Sequence, residues 1–506
     1  METDVIIVGA GPTGLMLAGE LALAGVRTRI VERRKEANRN SRALTLHPRS
    51  VEILDLRGLA PRFLAESRTL PGWHFAGLDT PLDFSALDSR HGYTLFLPQA
   101  RTEALLEERA RRLGVVIDRD CEVADLTQDA DGVSLELRDG NGRRTAVRAR
   151  FAVGCDGARS VVRRAAGIGF PGTDETLTGV LGDFATVTAD PAALRAARAA
   201  GVMVVPLEGG LTRLVYIDPE RLRTPSREEV TLEEFKASLR RLCGDELAIA
   251  EPRWLSRFGN ATRLAERYRN GRLLIAGDAA HIHFPAAGQG LNTGLQDAMN
   301  LGWKLAADIR GTAPASLLDS YDAERRPVGM AVTQNTEVQT LLAELALVPQ
   351  YRRPATALRS LVDELLGLEQ VNRLLAGRVS ALSTAYPAPE GSDPLTGQRM
   401  PDLGLSRNGE ATRVFDHLTD GRFLLLDLTG DDATPWPPSA ARDGFATLSA
   451  TAPDLPDAFA GVRQVLIRPD GHIAFATRAS DADARRSACA TALDTWTGAR
   501  GSSTVV

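Results

Sequence analysis

The sequence predicts an α/β protein, α+β overall, that is divided into several domains. At 506 residues the chain is too long for one ordinary hydrophobic core. Residues 4–32 read as strand, glycine turn, helix and strand, which is the βαβ unit of a parallel sheet. Residues 176–270 are rich in alternating strand patterns, and a buried-strand pattern returns at 272–276. We therefore expect a Rossmann-like unit interrupted by an inserted sheet.

The composition narrows the class of protein. A hydrophobic content of 43%, a charged content of 25% and a net charge of −5 are ordinary for a globular chain and give no electrostatic reason to expect nucleic acid. Because the sequence has neither a membrane-length apolar run nor a leader pattern, we expect a cytoplasmic protein without membrane contact. The cysteines are far apart and form no CxxC pair, which predicts reduced thiols and no metal site: Cys121, Cys155, Cys243 and Cys489.

The N-terminal unit carries a nucleotide-binding pattern. A strand at 4–8 is followed by the turn residues Gly9, Gly11, Pro12, Thr13 and Gly14. Gly9 permits a tight turn, Gly11 lets the backbone approach a pyrophosphate, and Gly14 allows close helix–strand packing. The next helix then points its positive end at the phosphates, and Glu32 ends the second strand where a carboxylate can bind a ribose. In this setting the glycine pattern is strong evidence for a dinucleotide.

A second motif follows the strand at 272–276. Asp278 leaves that strand for a loop, and the residues that lead into a long helix are Pro285, Gly288, Gly290, Leu291 and Asn292. The carboxylate could bind ribityl hydroxyls, and the free N–H groups of the helix start could hold the pyrimidine edge of a flavin. More than 260 residues separate the two motifs. The cofactor is therefore long and extended, which favours FAD over a nicotinamide dinucleotide.

The remaining elements are shorter. Between the two motifs we expect strands at 93–97, 115–118, 133–137, 146–153 and 212–217, and helices at 100–113 and 232–243. A long helix at 291–309 and further helix to about 382 follow, and the Pro-, Gly- and Ser-rich stretch 386–409 reads as a linker. A small α/β domain closes the chain, with strands at 422–428, 462–468 and 472–477 and a helix at 481–496.

A third motif, Gly154-Cys155-Asp156-Gly157, completes a family pattern. With it, the chain resembles the class A flavoprotein monooxygenases, the para-hydroxybenzoate hydroxylase family. It is most similar to the actinobacterial aromatic-polyketide hydroxylases and to rifampicin monooxygenase, and the resemblance covers roughly residues 1–385. In such proteins the C-terminal domain is thioredoxin-like, and this chain lacks the redox cysteine pair of a true thioredoxin.

The resemblance implies a domain plan, cofactors and contacts. It implies an FAD-binding domain at 1–175 and 271–385, a substrate-binding sheet domain at 176–270, a linker at 386–411 and a thioredoxin-like domain at 412–506. It also implies FAD contacts at Glu32, Arg33, Arg42, Gln99, Val123, Asp156 and Pro285. NADPH or NADH would reduce FAD, and O2 would form a flavin C4a-hydroperoxide that hydroxylates a bulky phenol or quinone. No catalytic side chain is expected, since the flavin itself transfers the oxygen.

Several alternatives stay open. The same chemistry could insert oxygen by a Baeyer–Villiger reaction, or the protein could be a non-catalytic flavin-binding accessory protein. The sequence does not fix the substrate, the position of attack, the nicotinamide, or whether the protein is a monomer or a homodimer. A halogenase is rejected, because Trp254 and Trp303 are isolated and lysines are scarce.

Some side chains near the motifs have two interpretations. A structural role for His281 and His283 is favoured over a catalytic one, and Arg101 is equally compatible with a surface and a site role. Core packing is favoured for the apolar candidates for the substrate cavity, namely Phe75, Phe96, Val180, Leu214 and Phe258.

Overall fold

The computed structural model describes residues 3–244, 247–430, 436–441 and 444–497. Its α-helices in chain order are α1 (Pro12–Leu23), α2 (Pro48–Asp55), α3 (Ala60–Ala65), α4 (Gln99–Arg112), α5 (Val161–Ala165), α6 (Pro191–Ala199), α7 (Leu232–Cys243), α8 (Gln289–Arg310), α9 (Ser320–Glu344), α10 (Arg352–Leu366), α11 (Glu369–Ser380) and α12 (Ala482–Thr497). The long helices fall where the sequence predicts them, with α1 and α8 starting two or three residues earlier.

The strands are short and numerous. In chain order they are β1 (Val5–Val8), β2 (Thr28–Glu32), β3 (Thr45–Leu46), β4 (Arg68–Leu70), β5 (Gly72–Trp73), β6 (Leu82–Asp83), β7 (Thr94–Phe96), β8 (Val116–Arg119), β9 (Cys121–Gln128), β10 (Val133–Asp139), β11 (Arg144–Ala149), β12 (Phe151–Gly154), β13 (Gly172–Thr173), β14 (Thr178–Thr188), β15 (Met203–Pro206), β16 (Thr212–Tyr216), β17 (Ala248–Gly259), β18 (Thr262–Leu264), β19 (Arg269–Asn270), β20 (Leu273–Ile275), β21 (His281–Ile282), β22 (Gly404–Arg407), β23 (Glu410–Arg413), β24 (Phe423–Asp427), β25 (Phe445–Ser449), β26 (Gln464–Ile467) and β27 (Ile473–Thr477).

The central sheet has the order β19-β20-β12-β1-β2-β8. Its strands are parallel except β19, and β1, β12 and β20 are buried throughout, which explains their continuous apolar sequences. Consequently β1, β12 and β20, which end in the three motifs, are neighbours. Their carboxyl ends meet at one edge, where ligands of doubly wound sheets bind.

The strand expected at 146–153 is wrong in its extent. The chain forms β11 and β12 instead, separated by Arg150, whose N–H donates to the Asp4 carbonyl at 2.9 Å. β11 pairs with β10 in a three-stranded antiparallel sheet with β9, whereas β12 pairs with β1 in the central sheet. β11 alternates and β12 is continuously apolar, and no turn residue separates them, so the sequence pattern alone merges them. β9 was not predicted, because its apolar residues do not alternate regularly and only one of its eight residues is buried.

The middle of the chain forms an antiparallel sheet of the order β15-β16-β14-β17. α7 packs on it through Phe235, whose ring lies 5.0 Å from that of Phe184 and 4.8 Å from that of Tyr216. The predicted helix at 232–243 and the strand-rich character are confirmed, and α6 is an addition within this region. This sheet forms its own core beside the nucleotide-binding unit.

The C-terminal region is a four-stranded sheet of the order β25-β24-β26-β27 closed by α12. β24 and β25 are parallel, and β26 and β27 add antiparallel strands, which is the strand arrangement of a thioredoxin-like fold. The preceding segment is packed, since Tyr386 and Met400 are buried and β22 pairs with β23. The Pro, Gly and Ser content of 386–409 therefore reflects turns in an ordered segment. None of the described helices is long and apolar enough to cross a membrane.

Candidate active site

The first glycine turn leaves an open space in front of α1. Gly9 has a φ of +106°, and a side chain there would collide with the Cys155 carbonyl, while one at Gly14 would collide with the Gly9 carbonyl. A Cβ at Gly11, by contrast, would meet no atom within 4 Å. Close packing behind the turn and free space in front of it are what a pyrophosphate at a helix N-terminus requires.

Glu32 lies at the end of β2, and its carboxylate contacts the glycine turn that follows β1. Its oxygens accept the Ala10 and Arg34 backbone N–H groups, both at 2.9 Å. A carboxylate oxygen has two acceptor positions, so each can still accept a hydroxyl hydrogen bond. Beyond Glu32 a cavity of about 400 Å³ is lined by Arg33, Asp120, Cys121, Glu122, Arg138, Asp139, Gly140 and Gly142. Val123 lies on β9 next to this cavity lining.

The two distant motifs meet at Thr13. A Cβ added to Gly277 would lie 2.6 Å from the Thr13 hydroxyl oxygen, and one added to Gly294 would collide with the same hydroxyl. Gly277 precedes Asp278 in the second motif, and Gly294 lies in the second turn of α8. The first and second motifs therefore pack directly against each other and border one cleft.

Asp278 occupies the cleft without a protein partner. Its side chain is exposed to the cleft, and it makes no hydrogen bond to any residue that the structure describes. Because protein surrounds the cleft, desolvation raises the pKa of Asp278, against the opposing charges of His281 and Arg42. A carboxylate held in this way fits the hydroxyls of a ribityl chain.

The loop before α8 has a strained backbone and is fixed by a hydrogen bond from a buried histidine. Ala287 has a φ of +51°, a left-handed conformation that is uncommon for alanine, and Gly288 follows with +68°. The buried His47 ring donates from Nε2 to the Ala287 carbonyl at 2.7 Å. Burial lowers the pKa of His47 to about 4, so the ring is neutral at pH 7. Pro285, at the start of this loop, is exposed.

Asn292 has a different environment from the one expected. Its side-chain oxygen accepts the backbone N–H of His47 at 2.7 Å. Its side-chain amide nitrogen donates to the carbonyls of Thr45 and Gly288 at 3.2 and 2.8 Å. Its backbone N–H lies beyond the unpaired first turn of α8. Asn292 thus fastens the loop, and Gln289, Gly290 and Leu291 form the first turn of α8, whose N–H groups have no partner within the helix.

Asp156 lies between the end of β12 and the start of α5. Its Oδ2 accepts the Val161 N–H at 2.6 Å. Burial is the main cause that raises the pKa of Asp156. Hydrogen bonds from the Ser160 side chain and from backbone N–H groups at the start of α5 oppose that rise, so Asp156 helps to hold α5 at the carboxyl end of β12.

Arg42 and Gln99 differ in how many of their hydrogen-bonding groups are already engaged with protein. Arg42 is exposed at the rim, and its carbonyl accepts the Arg213 side chain at 3.2 Å. Gln99 already accepts the Ala43 N–H at 3.4 Å and donates to Glu103 at 2.8 Å, so it has less free capacity.

The structure shows the environment of each side chain for which the sequence allowed both a structural and a site role. Arg101 forms an exposed ion pair with Glu66, and His281 is buried with its Nε2 2.7 Å from Asp297. His283 donates to the Phe284 carbonyl at 2.8 Å. Of the apolar candidates, those buried in cores are Phe75, Phe96, Val180 and Leu214. Phe258 alone of the five is only partly buried, and its ring lies 5.7 Å from Phe284 in the loop after β21.

The sequence did not reveal the buried residues that fix the Asp278 turn and the loop before α8. His47 was one, and the buried pair formed by Asp297 and Arg325 was another. Asp297 is the first charged residue of α8, which was the available signal, but its partner on α9 could not be identified from spacing. All four cysteines are free thiols, as expected. Across the described part of the chain there is no group of three or more His, Cys, Asp or Glu side chains that could hold a metal ion.

A doubly wound sheet with three nucleotide-facing motifs around one cleft defines a dinucleotide-binding oxidoreductase. Residues 2–336 match the family model described as FAD binding domain, and residues 393–499 match that of the aromatic-ring hydroxylase C-terminal domain. The chain belongs to the class A flavoprotein monooxygenases, the FAD-dependent aromatic hydroxylases. Its cofactor is FAD, with a reduced nicotinamide as the co-substrate typical of the family.

Relatives extend over the whole chain. An uncharacterised aromatic compound monooxygenase of Bacillus subtilis is 46% identical over 96% of both chains. Rifampicin monooxygenase of Streptomyces venezuelae is 44% identical over 94% of this chain and 95% of its own. The solved structure of anhydrotetracycline hydroxylase from Streptomyces rimosus superposes with a TM-score of 0.88 at 42% identity, covering 98% of this chain and 99% of that one.

Proposed function

We propose that this monooxygenase hydroxylates a bulky polycyclic phenol or quinone of the aromatic-polyketide or ansamycin type. Two relatives that cover nearly the whole chain are named for anhydrotetracycline and rifampicin, and both names denote large multi-ring molecules. The partly buried Phe258 and Phe284 at the junction of the middle sheet and the loop after β21 supply apolar surface for such a ring system.

The convergence of the motifs at Thr13 carries the proposed placement of FAD. The pyrophosphate would lie in the open space at Gly11, with the flanking turn residues Gly9, Pro12, Thr13 and Gly14. Glu32 would bind the adenosine ribose, and the adenine would lie by Arg33 and Val123, next to the cavity beyond β2. Arg42, Gln99 and Asp156 would border the central part of the cofactor.

The flavin end would lie at the loop before α8. Asp278 would accept the ribityl hydroxyls, Pro285 would lie against the ring, and the first-turn N–H groups of Gly290 and Leu291 would face its pyrimidine edge. Gly288 gives this turn its left-handed start, and Asn292 fastens it. When bound and reduced, FAD supplies the activation of O2. The protein positions the substrate and excludes water.

Oxygen labelling tests the reaction. Under 18O2, in the presence of NADPH and an aromatic-polyketide panel, we expect a product that carries one labelled oxygen. Label that comes only from H2-18O, or NADPH consumption that yields H2O2 with every compound, would contradict the proposal. A ring-expanded lactone or its ring-opened acid carrying the label would select Baeyer–Villiger insertion. A protein that oxidises no NADPH with any compound would be an accessory protein.

A further inference from the structure

One buried carboxylate lies behind the turn that carries Asp278. Asp297 on α8 is completely buried. Its Oδ2 accepts the Gly277 backbone N–H at 3.1 Å and lies 2.7 Å from His281 Nε2, which donates to it. Gly277 and His281 flank Asp278 on both sides. Asp297 therefore fixes the segment from which the Asp278 side chain projects into the cleft.

The second oxygen of Asp297 belongs to an ion pair that reaches the helix start. Arg325 on α9 donates from Nε to Asp297 Oδ1 at 2.7 Å, and neither side chain is exposed. Its Nη2 donates to the Thr293 carbonyl at 3.3 Å. Thr293 follows the first turn of α8, whose N–H groups have no partner within the helix. One ion pair thus holds two segments that approach the cofactor from different parts of the chain.

A third contact fixes the guanidinium. Arg325 Nη1 donates to the Tyr386 hydroxyl at 3.2 Å, and the Tyr386 ring packs on His472 at 4.2 Å between centroids. His472 belongs to the hairpin of the C-terminal sheet. All three nitrogen atoms of Arg325 are therefore engaged, which leaves its planar group a single orientation.

Stability alone does not account for such a pair. Burying two charges costs desolvation energy, and replacing a buried ion pair by packed apolar side chains is often neutral or stabilising. Asp297 remains ionised, because the charges of Arg325 and His281 lower its pKa against the raising effect of burial. The pair does provide directional hydrogen bonds to two segments, which apolar side chains cannot do.

We propose that Asp297 and Arg325 are positioning residues for FAD. They set the spacing between the Asp278 carboxylate and the first turn of α8, and so control both the retention and the redox potential of the flavin. This inference rests on the placement of FAD given above. Neither residue contacts the cofactor; each acts through the backbone of Gly277 or Thr293.

Two variants and a control test the proposal on the full-length holoenzyme. Asp297→Asn keeps the side-chain volume but removes the charge, and Arg325→Lys keeps the charge but cannot reach Asp297 and Thr293 together. The control is Glu234→Gln, which breaks the ion pair with the buried Arg257 on the middle sheet, away from the cleft. The measurements are the rate of FAD release, followed by flavin fluorescence, the flavin midpoint potential, and the unfolding temperature from tryptophan fluorescence.

We expect both site variants to release FAD about tenfold faster or more, and to shift the midpoint potential. Glu234→Gln lowers the unfolding temperature but changes neither flavin property. If Arg325→Lys lowers the unfolding temperature yet leaves the release rate and potential of wild type, the pair is only structural and the proposal is wrong. Arg325→Lys decides the matter if Asp297→Asn fails to fold.

Asp278→Ala separates this inference from the placement of FAD. If Asp278→Ala weakens FAD binding while both pair variants bind FAD normally, the placement stands and the positioning role is wrong. If Asp278→Ala also binds FAD normally, the placement is wrong and the inference falls with it.

Discussion

Glu324 and Arg325 are consecutive residues of α9 that form buried ion pairs in two different directions. Arg325 pairs with Asp297 beside the cleft, whereas Glu324 accepts from Lys304 at 2.7 Å and from Arg468 at 2.8 Å. Arg468 belongs to the C-terminal sheet region. One turn of α9 therefore contacts both Asp297 beside the cleft and Arg468 of the C-terminal sheet region.

The facing side of α8 completes a polar seam. Asp297, Asn300 and Lys304 lie on one face at helical spacing, and Asn300 donates to Glu324 at 2.6 Å. Trp303 Nε1 donates to Asp470 at 3.3 Å. The seam extends from Asp297 beside the cleft to Asp470 in the β26–β27 hairpin. These contacts join α8 and α9 to the C-terminal sheet region.

We predict that Glu324→Gln destabilises the protein in a pH-dependent way. Burial would raise the pKa of Glu324, but the charges of Arg468 and Lys304 outweigh it and lower that pKa from 4.5 to about 2. A carboxylate with a depressed folded-state pKa adds stability that is present above the unfolded value and lost as the pH falls through the folded value. The stability gap between wild type and Glu324→Gln should be about 3–5 kcal/mol at pH 7 and shrink between pH 4.5 and 2.

The measurement is chemical denaturation across this pH range. Glu122→Gln serves as a control, since Glu122 pairs with Arg138 on the surface, and an exposed pair contributes at most about 1 kcal/mol. A gap for Glu324→Gln that stays constant down to pH 2 would show that the carboxylate is not held ionised by its partners.

Gly11→Val should abolish FAD binding without unfolding the apo-protein. Gly11 has an ordinary negative φ of −80°, and a side chain there meets open space, so the fold tolerates it. The valine would instead fill the volume proposed for the pyrophosphate. Gly14→Val is the contrasting variant, since its side chain collides with the Gly9 carbonyl and should lower apo-protein stability as well. The FAD content, measured by absorbance, and the melting temperature of the apo-protein distinguish the two variants. An unchanged FAD content in Gly11→Val would contradict the proposed position of the pyrophosphate.

Asp278→Ala should weaken FAD retention more than it weakens folding. A hydrogen bond from a hydroxyl to a charged group contributes on the order of 1.5–3 kcal/mol, or about one to two decades in affinity. Because Asp278 bonds to none of the described residues, its removal leaves no protein donor unpaired. Asp278→Asn should lose less, since the amide oxygen still accepts. Titration of apo-protein with FAD gives the affinities; a melting temperature that falls as far as the affinity would make Asp278 structural.

Sequence patterns predicted the elements whose signals are local. The βαβ unit with Gly9, Gly11 and Gly14, the strand before Asp278 and the helix at 232–243 each depend on neighbouring residues, and the structure contains them. FAD as the cofactor also followed from the spacing of motifs along the chain. The individual FAD contacts remain predictions.

Interactions between distant segments could not be predicted in this way. Asp297 finds Arg325 because α8 and α9 pack, and Asn292 finds His47 because β3 lies under the loop before α8. The break at Arg150 is likewise decided by which neighbour each half of the segment pairs with. The pattern of apolar and polar residues along the chain does not tell which distant residue each side chain will contact. The residues that support the site from behind can therefore be identified only in the tertiary structure.

The docking of the C-terminal hairpin can be tested with two matched glycines. Gly471 and Gly461 have nearly equal φ values of +75° and +76°, so alanine at either costs about 1–2 kcal/mol in backbone strain. A Cβ at Gly471 would lie 2.7 Å from Leu56 of the FAD-binding domain, whereas one at Gly461 meets nothing within 4 Å. Gly471→Ala should therefore lower the melting temperature clearly more than Gly461→Ala. Equal losses would mean that the hairpin is not pressed against Leu56.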